Sequence, residues 1–368
     1  MKYTNPKVSI VIPVYNGSNF LHEAIDSALA QTYNNIEVIV INDGSNDKGA
    51  TEKIAKSYGN KISYYKKENG GVATALNLGI EKMTGEYFSW LSHDDLYAKT
   101  KIEDQVNYLN KNNREDVIIA CNAKVLFANG IKKKQKIDAN TFNFIDIFLS
   151  TSANVGVNGC SLLIPKKAFE VCGDFDVNLP VTQDYDLWFR MKDKFIFILL
   201  DKYLVVSRIH EMQDSVQKQS VMCEDGDQLH FNFLTTIPYE RFDQYFRSSK
   251  LNISHAYENY LIYKARSYTK TAALLLLNIL KYHYETNKNK FRSIFISEIE
   301  YNSTTIDIEQ VWNQILSSDI SSLPIKFART AQEKNHIISS RIVQSIARDG
   351  IYFTGEKAVR MVYKKLRK

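Results

Sequence analysis

The sequence predicts an α/β fold: a mostly parallel sheet flanked by helices, followed by a mainly α-helical C-terminal region. Three observations predict it. Over the first ~125 residues, short apolar runs rich in β-branched residues alternate with stretches at helical spacing, as strands buried on both faces beneath covering helices require. Polar, glycine-containing clusters follow the apolar runs directly, where an open α/β sheet keeps its ligand-binding edge. Beyond about Val221 the strand pattern fades and helical periodicity alone remains. The 368 residues therefore divide into 1–220, built on the sheet, and 221–368, built from helices.

The elements follow in order. Val8–Pro13 is a continuous apolar strand, and Phe20–Thr32 a helix with Leu21, Ala24, Ile25, Ala28 and Leu29 on one side. Glu37–Ile41 is a second strand ending in Asn42-Asp43-Gly44-Ser45, Asp47–Tyr58 a helix, and Ile62–Lys66 a third strand. Val72–Met83 reads as a helix stopped near Gly85, Glu86–Leu91 as a strand, Lys99–Asn110 as a helix and Val117–Phe127 as a strand. Lys132–Lys134 suits a solvated hairpin or loop. Ser161–Ile164, Phe195–Leu200 and Leu204–Ile209 read as strands, and Lys166–Cys172 and Asp184–Asp193 as helices. The C-terminal helices are expected near Glu240–Ser249, His255–Tyr282, Ile308–Ser317, Ala331–Arg348 and Gly355–Lys368.

Charge and cysteine usage narrow the classes. The formal charge is +6, but Gly355–Lys368 holds six cations against one Glu, which leaves +1 for everything else. A nucleic-acid binder is disfavoured on that distribution. In the tail, Ala358, Val359, Val362 and Leu366 alternate with Lys357, Arg360, Lys364 and Arg367 at helical spacing. Such a basic amphipathic helix suits either an anionic membrane surface or a solvated face packed on the domain. Cys121, Cys160, Cys172 and Cys223 show no C-x-x-C spacing, which fits a reducing compartment. Met1–Pro6 shows no cleavable-leader pattern, and Ala272–Leu280 falls well short of the ~20 apolar residues that span a bilayer. A cytoplasmic protein, peripheral on the inner face of the cell membrane, is expected.

Three polar clusters fall at strand ends: Pro13-Val14-Tyr15-Asn16-Gly17, Asn42–Asp47 and Ser92-His93-Asp94-Asp95. A carboxylate, an aromatic and an amide on one edge can hold a ribose and a base, and Asp94-Asp95 can hold a hard divalent cation that also grips phosphates. Each has a plainer reading. Asp43 forms turns in an Asp-Gly pair, and Asp94-Asp95 can cap the helix that follows.

Read together, Val8–Asn16, Val38–Ser45, Asn69-Gly70-Gly71 with Ala75–Ile80, and Gly85-Glu86-Tyr87 running into Asp94-Asp95 resemble family 2 glycosyltransferases over about Val8–His210. The resemblance implies the Rossmann-like glycosyltransferase A-type fold, a nucleotide-sugar donor (a UDP-sugar), Mn²⁺ or Mg²⁺, and inversion at the anomeric carbon. Carried over, Pro13 and Tyr15 line the nucleobase pocket, Asp43 bonds the base, and Gly71 lets the backbone approach the nucleotide. Asp94 faces the ribose or metal, and Asp95 ligates the metal. Two positions depart from the pattern. Ser92 stands where many relatives carry the first Asp of the metal motif, and Leu76 replaces an arginine.

Thr182–Trp188 resembles the family's acidic motif, with Asp184 in the place of the general base and Gln183 in the place of a Glu. Asp184 also suits a helix N-cap, as does Asp186. Gly159–Ile164 and Gly173–Asp176 fit the acceptor side, with Cys160 and Cys172 as small core residues. Ser207-Arg208-Ile209-His210 resembles an Arg-x-His element in which alternation puts Arg208 and His210 on one face, towards the diphosphate and metal. His93 suits packing or an acceptor-facing role.

The expected function is sugar transfer to a hydroxyl of a growing surface polysaccharide or glycolipid, of hexosyltransferase type and in a bacterial-type pathway. A catalytically degenerate sugar-nucleotide-binding module is the alternative, pointed to by Ser92, Leu76 and Gln183. A nucleotidyltransferase would need a Gly-rich loop after the first strand, and an oxidoreductase a G-x-G-x-x-G there; Gly17 stands alone.

Overall fold

Seven residues of uninterrupted apolar character, apart from Ser9, bury β1 (Val8–Val14) along its whole length. Such a strand needs cover on both faces, and the computed structural model supplies it. The structure describes residues 5–112, 117–136, 157–210, 213, 219–248, 253, 256, 257, 260, 263, 269–298 and 312. The chain clusters into two compact units, Met1–Phe144 with Val155–Met222, and Ile145–Asn154 with Cys223–Lys368.

In the first unit β1 pairs in parallel with β2 (Ile36–Asp43) and β4 (Tyr87–Trp90), and β2 with β3 (Ser63–Lys67). The two-residue β8 (Ile164–Pro165) closes the far edge antiparallel to β4, giving the order β3-β2-β1-β4-β8. α1 (Leu21–Leu29) buries Leu21, Ala24, Ile25 and Ala28, the stripe its periodicity marks. α2 (Ala50–Ser57) and α3 (Val72–Lys82) complete the crossovers, and α3 packs Ala75, Leu76 and Ile80 with Val11, Ile39 and Ile41. Leu76, the position of the missing arginine, is wholly buried in that core.

A second sheet has the order β5-β9-β6-β7, from β5 (Leu96–Tyr97), β6 (Val117–Leu126), β7 (Lys132–Gln135) and β9 (Ile196–Arg208). Sequence periodicity did not separate this sheet from the first. Its central pair, β6 with β9, is parallel, and both edges are antiparallel. Phe195–Leu200 and Leu204–Ile209, read as two strands, are one strand, because β9 bulges opposite Cys121–Ala123 and so absorbs the polar break at Asp201-Lys202. Ser161–Ile164 resolves into a 3-10 turn (Gly159–Ser161) leading to β8, and Lys132–Lys134 into strand β7 of a hairpin. α4 (Lys101–Asn112), α5 (Lys166–Cys172) and α6 (Gln183–Met191) cover the two sheets.

Asn77 of α3 staples this unit together. Its side chain donates to Phe175 O (2.9 Å) and accepts from Phe175 N (3.0 Å), across 98 residues of chain. Phe175 in turn touches Trp90 at the end of β4 and Trp188 of α6, with ring centroids 6.2 and 6.1 Å apart. Asn77→Leu would strand the Phe175 backbone groups at a cost of about 1–3 kcal/mol. The expected result is a calorimetric Tm lower by about 3–8 °C; an unchanged Tm would show that the staple is dispensable.

The second unit is helical in the residues described: from Cys223 the remainder of α7 (Gln219–Thr235), then α8 (Tyr239–Ser248), α9 (Thr269–Thr286) and α10 (Lys288–Glu298). Asp227 of α7 caps α9 by accepting from Lys270 N (3.0 Å) and Thr271 N (2.8 Å). Phe246 of α8 packs edge-on to Tyr282 of α9. The helix expected over His255–Tyr282 is described as helical at 256, 257, 260 and 263 and continuously from 269. Those expected at Ile308–Ser317 (Trp312 apart), Ala331–Arg348 and Gly355–Lys368 lie outside the described residues. Among the described residues no helix is long and apolar enough to cross a membrane.

Candidate active site

The parallel strands β1 to β4 end at one edge, and the residues singled out from sequence gather along it. Pro13 is buried within β1 opposite Ile41, and Tyr15, just past the strand, is 43% exposed. Asn16 locks the first loop to the second. Its backbone N–H donates to Ser45 Oγ (2.9 Å), and its amide exchanges hydrogen bonds with Asn46 (2.8 and 2.9 Å).

Asp43 ends β2 and is almost wholly buried. Its Oδ1 accepts from Lys67 Nζ (2.6 Å) and Gly70 N (3.1 Å), and its Oδ2 from Gly71 N (2.8 Å). The carboxylate is thus built into a cradle between the ends of β2 and β3, more than a turn-forming Asp needs. Gly71 holds φ at 87°, a conformation that disfavours a side chain, although a Cβ there would meet nothing. Its glycine therefore serves to aim the N–H at Asp43. Gly44 (φ 71°) is required for space as well, since its Cβ would lie 2.5 Å from Asn69 N. Lys67 was missed from sequence. Its place at the carboxyl end of β3 was the available signal.

The acidic loop after β4 meets the end of β9. Asp94 Oδ2 lies 3.0 Å from His210 Nε2, and Asp95 Oδ1 accepts from Arg208 N (2.9 Å). Arg208 Nε donates to Asp94 O (3.0 Å), its Nη2 pairs with Glu23 (3.0 Å), and its guanidinium stacks over Phe20 at 4.2 Å. His210 packs on the same Phe20 ring, centroids 5.1 Å apart, so Arg208 and His210 do lie on one side. Phe20 and Glu23 are site neighbours that sequence reasoning left in the helix. Burial, and then the charge of Asp94, push the Asp95 carboxyl up to about 7. Below the loop, Ser92 N and Oγ lie 3.2 and 3.3 Å from Cys160 Sγ. Cys160 is buried, and burial lifts its thiol far above its usual range, as for a small core residue. His93 packs against Gly17, where a Cβ would come within 2.4 Å of the imidazole.

For a divalent cation, Asp94 and His210 present a carboxylate oxygen and an imidazole nitrogen, a mixed set that suits Mn²⁺ and, through the oxygen, Mg²⁺. Asp95 is turned to the Arg208 N–H. Among the described residues no group of three or more His, Cys, Asp or Glu side chains is gathered to hold a metal alone. The residues fit a cation whose shell is completed by phosphate oxygens.

Asp184 lies one residue inside α6. Thr182 takes the N-cap position, so Asp184 is not the cap. Its Oδ1 accepts from Tyr185 N (2.9 Å), and burial lifts the carboxyl to about 6. Beside it Thr182 Oγ1 and Gln183 Oε1 are buried with no hydrogen-bond partner among the described residues. Asp186, the other candidate, is occupied with Arg190 (2.8 Å), which also donates to Asp174 O. The Trp90–Phe175–Trp188 contacts tie this helix to the strand that carries the acidic loop.

Comparison with known proteins accords with this geometry. The family model described as "Glycosyl transferase family 2" matches residues 9–173. An uncharacterized glycosyltransferase of Rickettsia felis is 49% identical over 240 residues, 64% of this chain and 39% of that protein. The minor teichoic acid biosynthesis protein GgaB of Bacillus subtilis is 32% identical over 192 residues, 50% of this chain and 21% of GgaB. The chain thus spans well under half the length of these two relatives. The structure of S. aureus TarS 1–349 in complex with UDP-GlcNAc superposes with a TM-score of 0.54 at 16% identity, covering 82% of this chain and 98% of that one. At that identity the likeness is one of fold.

Proposed function

The chain belongs to glycosyl transferase family 2, and from that premise we propose that it is an inverting, metal-dependent glycosyltransferase acting on a UDP-sugar. The observation that carries the reading is the meeting of Asp94 with His210, and of Asp95 with Arg208 N, at one end of the strand edge that also bears Tyr15 and the Asp43 cradle. Residues 1–220 form the catalytic region and 221–368 a helical region, with 355–368 as a contact for anionic membrane.

In this reading Tyr15 and Pro13 flank the base, and the Asp43 carboxylate accepts its N–H. Asp94 and His210 hold the cation. When bound, Mn²⁺ or Mg²⁺ supplies positive charge against the diphosphate that departs. Asp184 accepts the proton of the acceptor hydroxyl as that oxygen bonds to the anomeric carbon and the carbon–diphosphate bond breaks on the opposite face. A carboxyl lifted to about 6 is a better base for this than an ordinary Asp, yet remains ionised at neutral pH. The acceptor is a hydroxyl of a surface polysaccharide or glycolipid, and the sugar a hexose or its derivative.

Donor choice is tested by thermal shift with Mn²⁺. UDP and UDP-GlcNAc are expected to raise Tm by several degrees, and ADP, GDP and CDP by less than one. Lys67→Met, which leaves Asp43 with two N–H partners, is expected to weaken UDP at least tenfold. Equal shifts for all four nucleotides would overturn the uridine reading.

A further inference from the structure

The four-stranded sheet carries a group of cations on the face that bears Arg208. The register sets Lys124 opposite both Lys134 and Val206, and Leu126 opposite both Lys132 and Arg208. Residues in register across neighbouring strands project to the same face, so Lys124, Lys132, Lys134 and Arg208 share one. The alternate positions Ala123, Val125 and Val205 are buried on the other. The cationic face is open, with Lys132 and Lys134 exposed and Lys124 and Arg208 half-buried. At ~4.8 Å per strand, Lys132 stands on the order of 10 Å from Arg208 along the sheet. Arg208 itself is bonded to both residues of the acidic pair.

Edge protection alone does not explain this arrangement. Lysines on an edge strand discourage pairing with another chain, and that accounts for those of β7. It does not account for Lys124, on the interior strand β6 directly opposite Lys134, where like charges destabilise. Neutralisation is also one-sided. Asp201, at the far end of the face, is occupied by Lys136 (2.9 Å) and Asn122 (2.8 Å). Nearer Arg208, among the described residues, Lys124, Lys132 and Lys134 have no carboxylate within ion-pair distance. The Tyr203 ring lies 5.1 Å from Lys134 Nζ and adds an aromatic surface beside the amines.

We propose that this face binds a polyanionic acceptor chain, its negative groups held by Lys124, Lys132 and Lys134 while a hydroxyl further along reaches the site at Asp94 and Asp184. The inference rests on the glycosyl-transfer reading and extends it to the acceptor. Lys132 and Lys134 are ~7 Å apart along their strand, and Lys124 is ~5 Å from Lys134 across the pair. That spacing suits a polymer with one phosphate or carboxylate per short repeat.

The test measures binding of the full chain to inorganic polyphosphate and to polygalacturonate, with dextran as neutral control, at two salt concentrations. Wild type is expected to bind a polyanion and not dextran, with affinity that falls steeply with salt. The triple change Lys124→Gln, Lys132→Gln, Lys134→Gln is expected to weaken that binding at least tenfold without lowering Tm, since it relieves a like-charge pair. The same three positions changed to Arg keep the binding, and Lys132→Gln alone gives a milder loss should the triple variant misfold. The preferred polymer tells phosphate from carboxylate. No polyanion binding by wild type, equal binding by the Gln variant, or a loss seen only with phosphatidylglycerol vesicles would overturn the proposal. The UDP thermal shift on the same samples keeps the two readings apart. Its absence in wild type counts against the donor site, and its persistence in the Gln variant leaves polymer binding as the one function removed.

Discussion

Asp184→Asn lowers kcat about 10³-fold, leaves the Kd for the donor within twofold, and raises Tm. The first effect follows from removing a general base, whose contribution is typically 10²–10⁴-fold. The second follows because the proposed proton transfer involves the acceptor alone. The third follows from linkage. Burial raises the folded carboxyl from 3.8 to about 6, so its contribution to stability is complete below about pH 4 and is lost as the pH rises past about 6. At neutral pH an uncharged amide escapes a penalty of up to about 2–3 kcal/mol, or several degrees of Tm. In wild type, kcat/KM should fall tenfold per unit below about pH 6, and this acid limb should vanish in the residual activity of the variant. Transfer and calorimetry on one preparation check all three. Loss of activity together with a lower Tm would mean that Asp184 serves the fold.

Asp94→Ala raises the Kd for UDP in saturating Mn²⁺ at least a hundredfold, about 2.7 kcal/mol, and leaves the weak binding measured in EDTA nearly unchanged. Asp94 and His210 are the pair that converges, and the carboxylate is the harder donor of the two. Asp94 is buried, so the change loses its bond to His210 while relieving its repulsion of Asp95, and the two effects on stability oppose each other. Isothermal titration with and without Mn²⁺ separates the outcomes. Superimposable Mn²⁺ titrations of variant and wild type would remove Asp94 from the cation site.

Much of the first sheet was legible because its signals are local. β1, β2 and β4 are short, largely apolar runs, and α1 and α3 repeat their apolar residues at helical spacing, so each element announces itself within a few residues. The second sheet was not, because its order depends on pairings far apart in the chain and on a bulge that no periodicity encodes. The site divides in the same way. Asp43, Asp94, Asp95 and Asp184 stand at strand or helix ends and were readable from position. Lys67 looks like a solvated strand end, and only the folded chain shows the carboxylate it meets. Lys101 is the sharpest failure of pattern. It falls where a helix should meet water, yet it is wholly buried, with Nζ on Ser89 Oγ (2.9 Å), Gln105 Oε1 (3.0 Å) and the face of Tyr97. Burial brings its amine down to about 8. A lysine satisfied by neutral groups leaves no charge pattern to read.

β9 lies between β5 and β6, and this gives the fold an order in time. During synthesis the four parallel strands of the first sheet are complete by residue 90, before anything after Trp90 is needed. β5 emerges a few residues later, but its partners Val205 and Val206 follow only about 110 residues on. At ~5–20 residues per second the nascent chain therefore carries an unpaired strand, next to its acidic pair, for roughly 5–20 s. The edge that bears Asp43 takes shape early, whereas the acidic pair waits for Arg208 and His210, more than a hundred residues further along the chain. An interrupted chain would therefore display a nearly finished sheet and an acidic pair without its partners.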